Sequence, residues 1–291
     1  RFRFSTKTAK RLTDNMTGTL FVVGTPIGNL GDFSPRAVET LSSCDFIAAE
    51  DTRVTIKLLN HFGIKKPMMS YYEHNRAERG EKILERLLNG ENCALVSDAG
   101  MPIISDPGED LTALCYENNI PIKAVPGPCA FVTALAISGM PAGRFTFEGF
   151  LTRAKPNRRE HLLSLVDEKR TMVFYEAPHK LPATLKDMAE YFGDRSIAIV
   201  KEITKIYESV EKTTLFEAAK KYDGANLKGE YVLIVSGKPE EKETAPTLFD
   251  AVEKARGLVL GGASVNEAAK EAAKLTGIKK SDIYKSLQSE G

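Results

Sequence analysis

Residues 93–108, CALVSDAGMPIISDPG, run an apolar strand into a turn of Asp, Gly and Pro and then restart as a helix. That order confines the chain to a few layered α/β architectures. Four consecutive apolar residues, Cys93 to Val96, suit a strand covered on both faces, as strands of parallel sheets are. The polar turn that follows, Asp98-Ala99-Gly100, then falls at the strand's carboxyl end, where open α/β sheets bind their ligands. Asp106-Pro107-Gly108-Glu109 offers an Asp cap with a carboxylate three residues on, which predicts a helix from there through Cys115.

The same pattern recurs along the first half. LFVVGTPIGNL at 20–30 is a strand ending in a Gly- and Pro-rich turn, and Ser34-Pro35 reads as the cap and first residue of a helix to about Ser43. Asp45 to Ala49 forms a second strand that runs straight into Glu50-Asp51-Thr52-Arg53, before a helix with Ile56, Leu58 and Leu59 apolar. A helix from Arg79 to Leu88 leads into the 93–108 stretch. IPIKAVP at 120–126 is another strand, and Gly127-Pro128 open an apolar helix that ends at Gly139. Such alternation predicts a parallel sheet with helices on its faces.

From about Phe145 the texture changes to FTFEGFL, a basic loop TRAKPNRRE, a helix and a strand at 171–177. A helix at 180–192, the strand SIAIVKEI, a helix near 214–222 and a strand at 230–237 complete this part, and their mixture implies an antiparallel component. KPEEKETAP has the composition of a linker, and beyond it 247–260 and 264–288 read as amphipathic helices with helix-turn-helix spacing. The expected organisation is a leader at 1–16, an α/β domain at 17–127, a second at 128–238, a linker at 239–246 and a helical segment at 247–291. The leader carries five basic residues, one acidic residue and no sustained period, so it reads as frayed chain rather than as a functional arm.

With 291 residues, 42% of them hydrophobic, the chain is long enough for two cores. Forty basic against 39 acidic residues exclude a whole-molecule field for nucleic acid or lipid, so any basic surface must be local. The four cysteines stand singly, with no CxxC pair and no histidines at ligand spacing, which implies free thiols in a reducing cytoplasm and no metal. No apolar run approaches the roughly 18 residues of a membrane span, so no membrane partner is expected.

Several clusters carry possible chemistry. Gly24-Thr25-Pro26-Ile27-Gly28-Asn29 lacks GxGxxG spacing, and Pro26 removes an amide that a phosphate cradle needs, which leaves a tight turn or a pocket wall. Asp98 either caps its own turn or bonds ligand hydroxyls or an amine. A second turn, Pro126-Gly127-Pro128-Cys129, opens a helix whose first amides suit a carboxylate, so two ligand turns converge. Glu50, Asp51 and Arg53 are either a surface ion-pair cluster or, with Tyr71-Tyr72-Glu73-His74-Asn75, a polar substrate wall in which His74 is a candidate base. Arg153, Lys155, Arg158 and Arg159 are the densest basic patch, either a solvated loop or an RNA phosphate contact. In residues 262–291 five lysines face four acidic residues, which argues little for RNA.

VVGTPIGNLGD, AAEDTR, SYYEHN, ALVSDAGMPIISDPG, AVPGPCAFVTAL, FEGFL, FYEAPHKL and GEYVLIV occur in that order. Together they resemble the ribosomal RNA small-subunit methyltransferase I family of the tetrapyrrole methylase superfamily, over about Gly18 to Gly237, with the terminal helices also similar. The resemblance implies a class III methyltransferase: two α/β domains with S-adenosylmethionine in the cleft between them, a small C-terminal helical segment, and a cytoplasmic homodimer. Carried over by position, Thr25 and Pro26 would line the cleft, and Asp98, Ala99, Gly100, Met101 and Ile104 would contact the cofactor. Cys129 and Ala130 match the turn that touches its methionine part; Tyr175 and Glu176 fall in the FYE segment; Asn226, Leu227 and Gly229 precede the last strand near the adenine. The family pattern reads PTPIGNL and SDAGTP, so Gly24 and Met101 are departures, and Met101 narrows the pocket beside Asp98.

The reaction implied is 2′-O-methylation of a cytidine ribose in the decoding region of small-subunit rRNA, with naked rRNA or the 30S particle as substrate. Glu50, Asp51 and His74 are the candidates for proton acceptor, with Arg53 orienting an acid or a phosphate. The alternatives are a tetrapyrrole C-methyltransferase on the same scaffold and a noncatalytic RNA-binding assembly factor.

Overall fold

The computed structural model describes residues 17–152, 154–239 and 246–289. The leader at 1–16, Arg153 and most of the 239–246 linker lie outside the described residues.

The first sheet is parallel throughout. Its strands β1 (Leu20–Val23), β2 (Phe46–Ala49), β3 (Met68–Ser70), β4 (Cys93–Val96) and β5 (Ile122–Val125) lie in the order β3-β2-β4-β1-β5. Helices α1 (Pro35–Ser43), α2 (Thr52–His61), α3 (Arg76–Leu88) and α4 (Glu109–Glu117) connect them. Ser34 caps α1 through Ala37 N and Pro35 starts it, so the first crossover begins where its sequence says it should. Alternate strand residues feed two cores: Val23, Ile47, Ala49 and Val96 meet Leu41 of α1 and Leu59 of α2, while Leu20, Phe46, Ala48 and Leu95 meet Ile83 of α3 and Leu111 of α4. Burial on both faces is why β2 and β4 read as unbroken apolar runs.

The apolar helix α5 (Ala130–Ile137) leads to the second sheet. There β6 (Phe145–Phe150), β7 (Thr171–Glu176), β8 (Ser196–Lys201), β9 (Ser209–Thr214) and β10 (Tyr231–Val235) take the order β6-β7-β10-β8-β9. Only the β6–β7 pair is parallel. One face packs on α6 (Lys155–Ser164), α7 (Leu181–Phe192) and α8 (Leu215–Lys221) through Leu162, Leu185 and Leu215. The other face receives Ala134 and Leu135 of α5 together with Ile27 from the turn after β1. Those contacts bring the carboxyl-end turns of the first sheet against β7 and β10.

Two expectations are corrected here. Residues 155–160, expected as part of a basic loop, are helical from Lys155, with Pro156 in the first turn. Asp106-Pro107 does not cap a helix: α4 starts at Glu109 behind Gly108, which makes no side-chain cap. Gly108 adopts φ +145, a conformation that excludes a β-carbon, and the Asp106 carboxylate turns instead toward the Ser97 hydroxyl.

Contacts divide the chain after Lys238. The following unit packs α9 (Leu248–Leu260), α10 (Val265–Thr276) and α11 (Lys280–Ser289) around Ala251, Ala255, Ala268, Ala272 and Ile283. Small residues let the helix axes approach closely, and Thr247–Asp250 and Ser264–Glu267 capping boxes fix where α9 and α10 begin. Among the described residues no helix is long and apolar enough to cross a membrane.

Candidate functional site

β4 lies beside β1, so the turns that leave their carboxyl ends meet. Thr25 and Gly100 exchange both backbone hydrogen bonds, at 2.9 and 3.2 Å, and the buried Thr25 hydroxyl donates to Ser97 O. On the opposite side of Gly24 the chain touches Gly127: a β-carbon on Gly127 would fall 2.8 Å from Gly24 Cα, C and O. The turns after β1, β4 and β5 are thereby held as one rim.

That rim, the start of α5, and the ends of β6, β7 and β10 enclose a cavity of about 430 Å³. Asp98, Ala99, Gly100, Met101 and Ile104 line it from the turn after β4. Glu50 enters from the end of β2, Cys129 and Ala130 from the start of α5, and Tyr175 and Glu176 from β7. Ile27, from the turn read as a possible pocket wall, also lines it, as do Ser105, Asp106, Phe150, Val200 and Tyr231, which the sequence does not single out as site residues. Asp106 had the strongest available signal, a carboxylate in a Gly- and Pro-rich turn, but its helix-capping role was the more natural assignment.

The other sequence candidates sit outside the lining. Thr25 braces the turn from beneath, and Pro26 follows it. Asp51 caps α2 through Arg53 N at 2.8 Å and binds the Arg53 guanidinium; the Arg53 side chain is 87% exposed. His74 is exposed, with its ring edge-on to Tyr72. Leu227 packs into the α7–α8 core. Asn226 is exposed, whereas Gly229, at φ +94, places Glu230 on the cavity wall. Lys155, Arg158 and Arg159 line a separate groove.

Five carboxylates line this largely apolar cavity: Glu176 is bonded by the Thr184 hydroxyl and Glu230 is paired with Lys205, while Glu50, Asp98 and Asp106 come from the ends and turns that follow β2 and β4. Glu50 accepts weakly from Asp98 N at 3.4 Å, and Asp98 accepts from Asp51 N at 3.1 Å. Burial pushes Glu50, Asp98 and Asp106 each above its ordinary value, and neighbouring carboxylates add to it, Asp106 and Asp98 at Glu50, Asp51 at Asp98, and Asp98 at Asp106. Asp51 goes the other way, to about 2, because Arg53 and the α2 amides hold its charge. Among the described residues no group of three or more His, Cys, Asp or Glu is placed to hold a metal ion. Unpaired acids beside an apolar space instead suit an organic cation.

The aromatic side is ordered by packing. Tyr175 OH accepts from Phe131 N at 3.2 Å, and the Tyr175 ring meets Phe147 and Phe150 at 5.0 and 5.4 Å. Burial raises the Tyr175 hydroxyl to about 12, so it is neutral at physiological pH. The 101–108 turn carries backbone strain: Ile103 and Ser105 hold φ +80 and +68, unusual for residues with a β-carbon and most so for a β-branched one.

The tetrapyrrole (corrin/porphyrin) methylase family profile matches residues 19–219, which span the rim and most of the cavity wall. The chain belongs to the tetrapyrrole methylase family. A ribosomal RNA small subunit methyltransferase I from Synechocystis is 44% identical over 92% of this chain and 96% of its own length. One from Thermotoga maritima is 47% identical over 76% of this chain and 99% of its own length. Membership therefore narrows to the methyltransferase I group within the tetrapyrrole methylases. The uroporphyrin-III-C-methyltransferase of Thermus thermophilus shares the class III methyltransferase fold, with a TM-score of 0.54 at 17% identity over 75% of this chain and 94% of that one.

Proposed function

We propose that this protein is an S-adenosylmethionine-dependent methyltransferase acting on the 2′ hydroxyl of a cytidine in the decoding region of small-subunit rRNA. The observation that carries it is the apolar cavity at the carboxyl end of β4, lined by Glu50, Asp98 and Asp106, in a chain 42–47% identical to small-subunit rRNA methyltransferases I. The lining fits the cofactor: the apolar walls from Met101, Ile104 and Val200 suit the adenosine, and the acids suit its positive groups. When bound, S-adenosylmethionine supplies a methyl made electrophilic by its sulfonium.

The chain's own residues have three tasks. Asp98 and Asp106 hold the cofactor's cationic parts. The first amides of α5, beside Cys129 and Ala130, meet its carboxylate. Glu50 is the proton acceptor for the ribose hydroxyl, because its raised pKa brings it nearer the working pH and it alone of the predicted wall reaches the cavity. Asp51 is too firmly ionised for that task, and Arg53 and His74 lie outside, where they suit the substrate backbone. Tetrapyrrole methylation is not favoured: the rRNA relatives share 42–47% identity with this chain, the porphyrin enzyme 17%.

The two lobes, 17–127 and 128–238, are proposed as the halves between which the cofactor sits. A homodimer is supported by exposed apolar side chains at Val132, Ile137, Ile206 and Tyr207, the last two 94% and 77% exposed. An rRNA substrate supports a cytoplasmic location. Methyl transfer from labelled S-adenosylmethionine, offered 30S particles and uroporphyrinogen side by side, tests the function; label only in the porphyrinoid fraction would overturn it. Glu50→Gln at saturating cofactor is expected to lower the rate by about 10²-fold or more while the cofactor still binds. Full activity in that variant would remove Glu50 from the chemistry.

A further inference from the structure

Two chain segments pass from the cavity wall directly into the wall of a second depression. Phe150 lines the cavity and Thr152 the depression; Tyr175 to Pro178 line the cavity and His179 and Lys180 the depression. This groove, between α6 and α7, encloses about 690 Å³, more than the cavity itself. The two spaces are thus successive parts of one surface.

The groove is basic in a particular way. Arg158 donates to Asp187 Oδ2 at 2.6 Å and to Thr184 Oγ1 at 2.9 Å, with its side chain only 14% exposed, so its charge is already used inside the protein. Lys155, Arg159 and Lys180 have no ion-pair partner among the described residues, and His179 stands beside them. Among the described residues of the wall, Glu190 is the only other acid. Lys155 and Arg159 are four residues apart on α6, so they project from one face about 6 Å apart along the axis. Tyr191 adds a half-buried ring at the margin, a surface on which a base can stack.

Beneath the groove the bonding continues to the cavity. The Thr184 hydroxyl, which accepts from Arg158, donates to the buried Glu176 carboxylate, whose other oxygen accepts from Ala177 N at 2.8 Å. Arg158 is therefore a positioning residue: it fixes α6 to α7 and, through Thr184, sets the turn that forms both walls.

We propose that the groove between α6 and α7 binds the phosphodiester backbone of single-stranded RNA, through Lys155, Arg159 and Lys180, and leads it to the cavity. The proposal rests on the RNA methyltransferase function above. A run of phosphates matches unpaired cations in an open groove better than an acidic peptide does, because stacking on Tyr191 adds to the charge.

The test is fluorescence anisotropy with a labelled oligocytidylate over a salt series, beside labelled polyglutamate, using the full chain loaded with S-adenosylmethionine. Lys155→Ala, Arg159→Ala and Lys180→Ala are each expected to reduce the log–log salt slope by about 0.7, and the triple variant by about 2. Cofactor affinity by titration calorimetry is expected to stay unchanged in all of them. Arg158→Lys, which keeps the charge but loses the fork, is expected to keep the salt slope while raising KM for 30S particles. An unchanged slope and an unchanged KM for 30S in the triple variant would overturn the groove while leaving the methyltransferase function intact. Groove-dependent RNA binding without methyl transfer would do the reverse, and tighter binding of polyglutamate would assign the groove to an acidic peptide.

Discussion

The contact between Gly24 and Gly127 holds the cavity rim closed, and one added methyl group tests it. An alanine β-carbon at Gly127 would fall 2.8 Å from three backbone atoms of Gly24, whereas ordinary contact begins near 3.4 Å. No side chain can swing aside, because all three obstacles are main chain, so the turns after β1 and β5 must part by roughly 0.6 Å. Overpacking of this kind costs about 1–3 kcal/mol. For a unit of this size that lowers Tm by roughly 2–12 °C. The cavity should suffer as well, since Cys129 and Ala130 follow Gly127 while Met101 is tied to the β1 turn through the Thr25–Gly100 bridge. A mismatch of half an ångström across the site is expected to weaken S-adenosylmethionine binding by roughly tenfold. Thermal unfolding and titration calorimetry on Gly127→Ala read both effects. Gly143→Ala is the control, with nothing within 4 Å of the added carbon and an expected change within about 0.5 kcal/mol. A Gly127→Ala protein that matches the control in Tm and cofactor affinity would refute the idea that these two α-carbons set the rim.

The raised carboxylates make cofactor binding pH-dependent: ionised acids favour a cation, so affinity should rise with pH through the range just above the ordinary carboxylate value and then level off, as calorimetry over a pH series would show. Their folded pKa values lie above the unfolded ones, so the ligand-free protein should lose stability as pH climbs through that same window, and Glu50→Gln should be more stable than the parent at neutral pH. Asp51 has the opposite sign; its stabilisation is present above the unfolded carboxylate value and fades as pH falls toward about 2, an acid limb that Asp51→Asn should flatten in acid unfolding. Ser105→Gly relieves a left-handed backbone and should raise stability by about 1 kcal/mol in denaturant unfolding. Gly257→Ala, inside α9 with nothing within 4 Å, should stabilise that helix by about 1 kcal/mol, read from helical ellipticity on melting.

Most of the fold was legible because burial repeats locally. β1, β2 and β4 are apolar runs with polar turns at their ends, and each helix after them carries its own cap or apolar spacing. The two strands that escaped, β3 and β9, are edge strands of three and six residues. SVEKTT in β9 is polar because one side has no neighbour, and an edge strand gains its conformation from the partner it pairs with rather than from its own pattern. The basic 155–160 segment escaped for a related reason: charge dominated its composition, while its helical state depends on Leu162 reaching the core beside α7.

By itself, the sequence determined where the ligand turns lie and which way the strands run, since those follow from contiguous hydrophobicity, Gly and Pro placement, and capping residues. Only the tertiary structure decided which acids face the cavity. Glu50, Asp98 and Asp106 are 48 and 8 residues apart in succession, and β2 and β4 must pair in register before their turns meet. The same holds for the groove, where Arg158 looks like its basic neighbours in the chain but is neutralised by Asp187, 29 residues away. Charge is a property of the residue; whether it is free to bind a ligand is set by what folding places beside it.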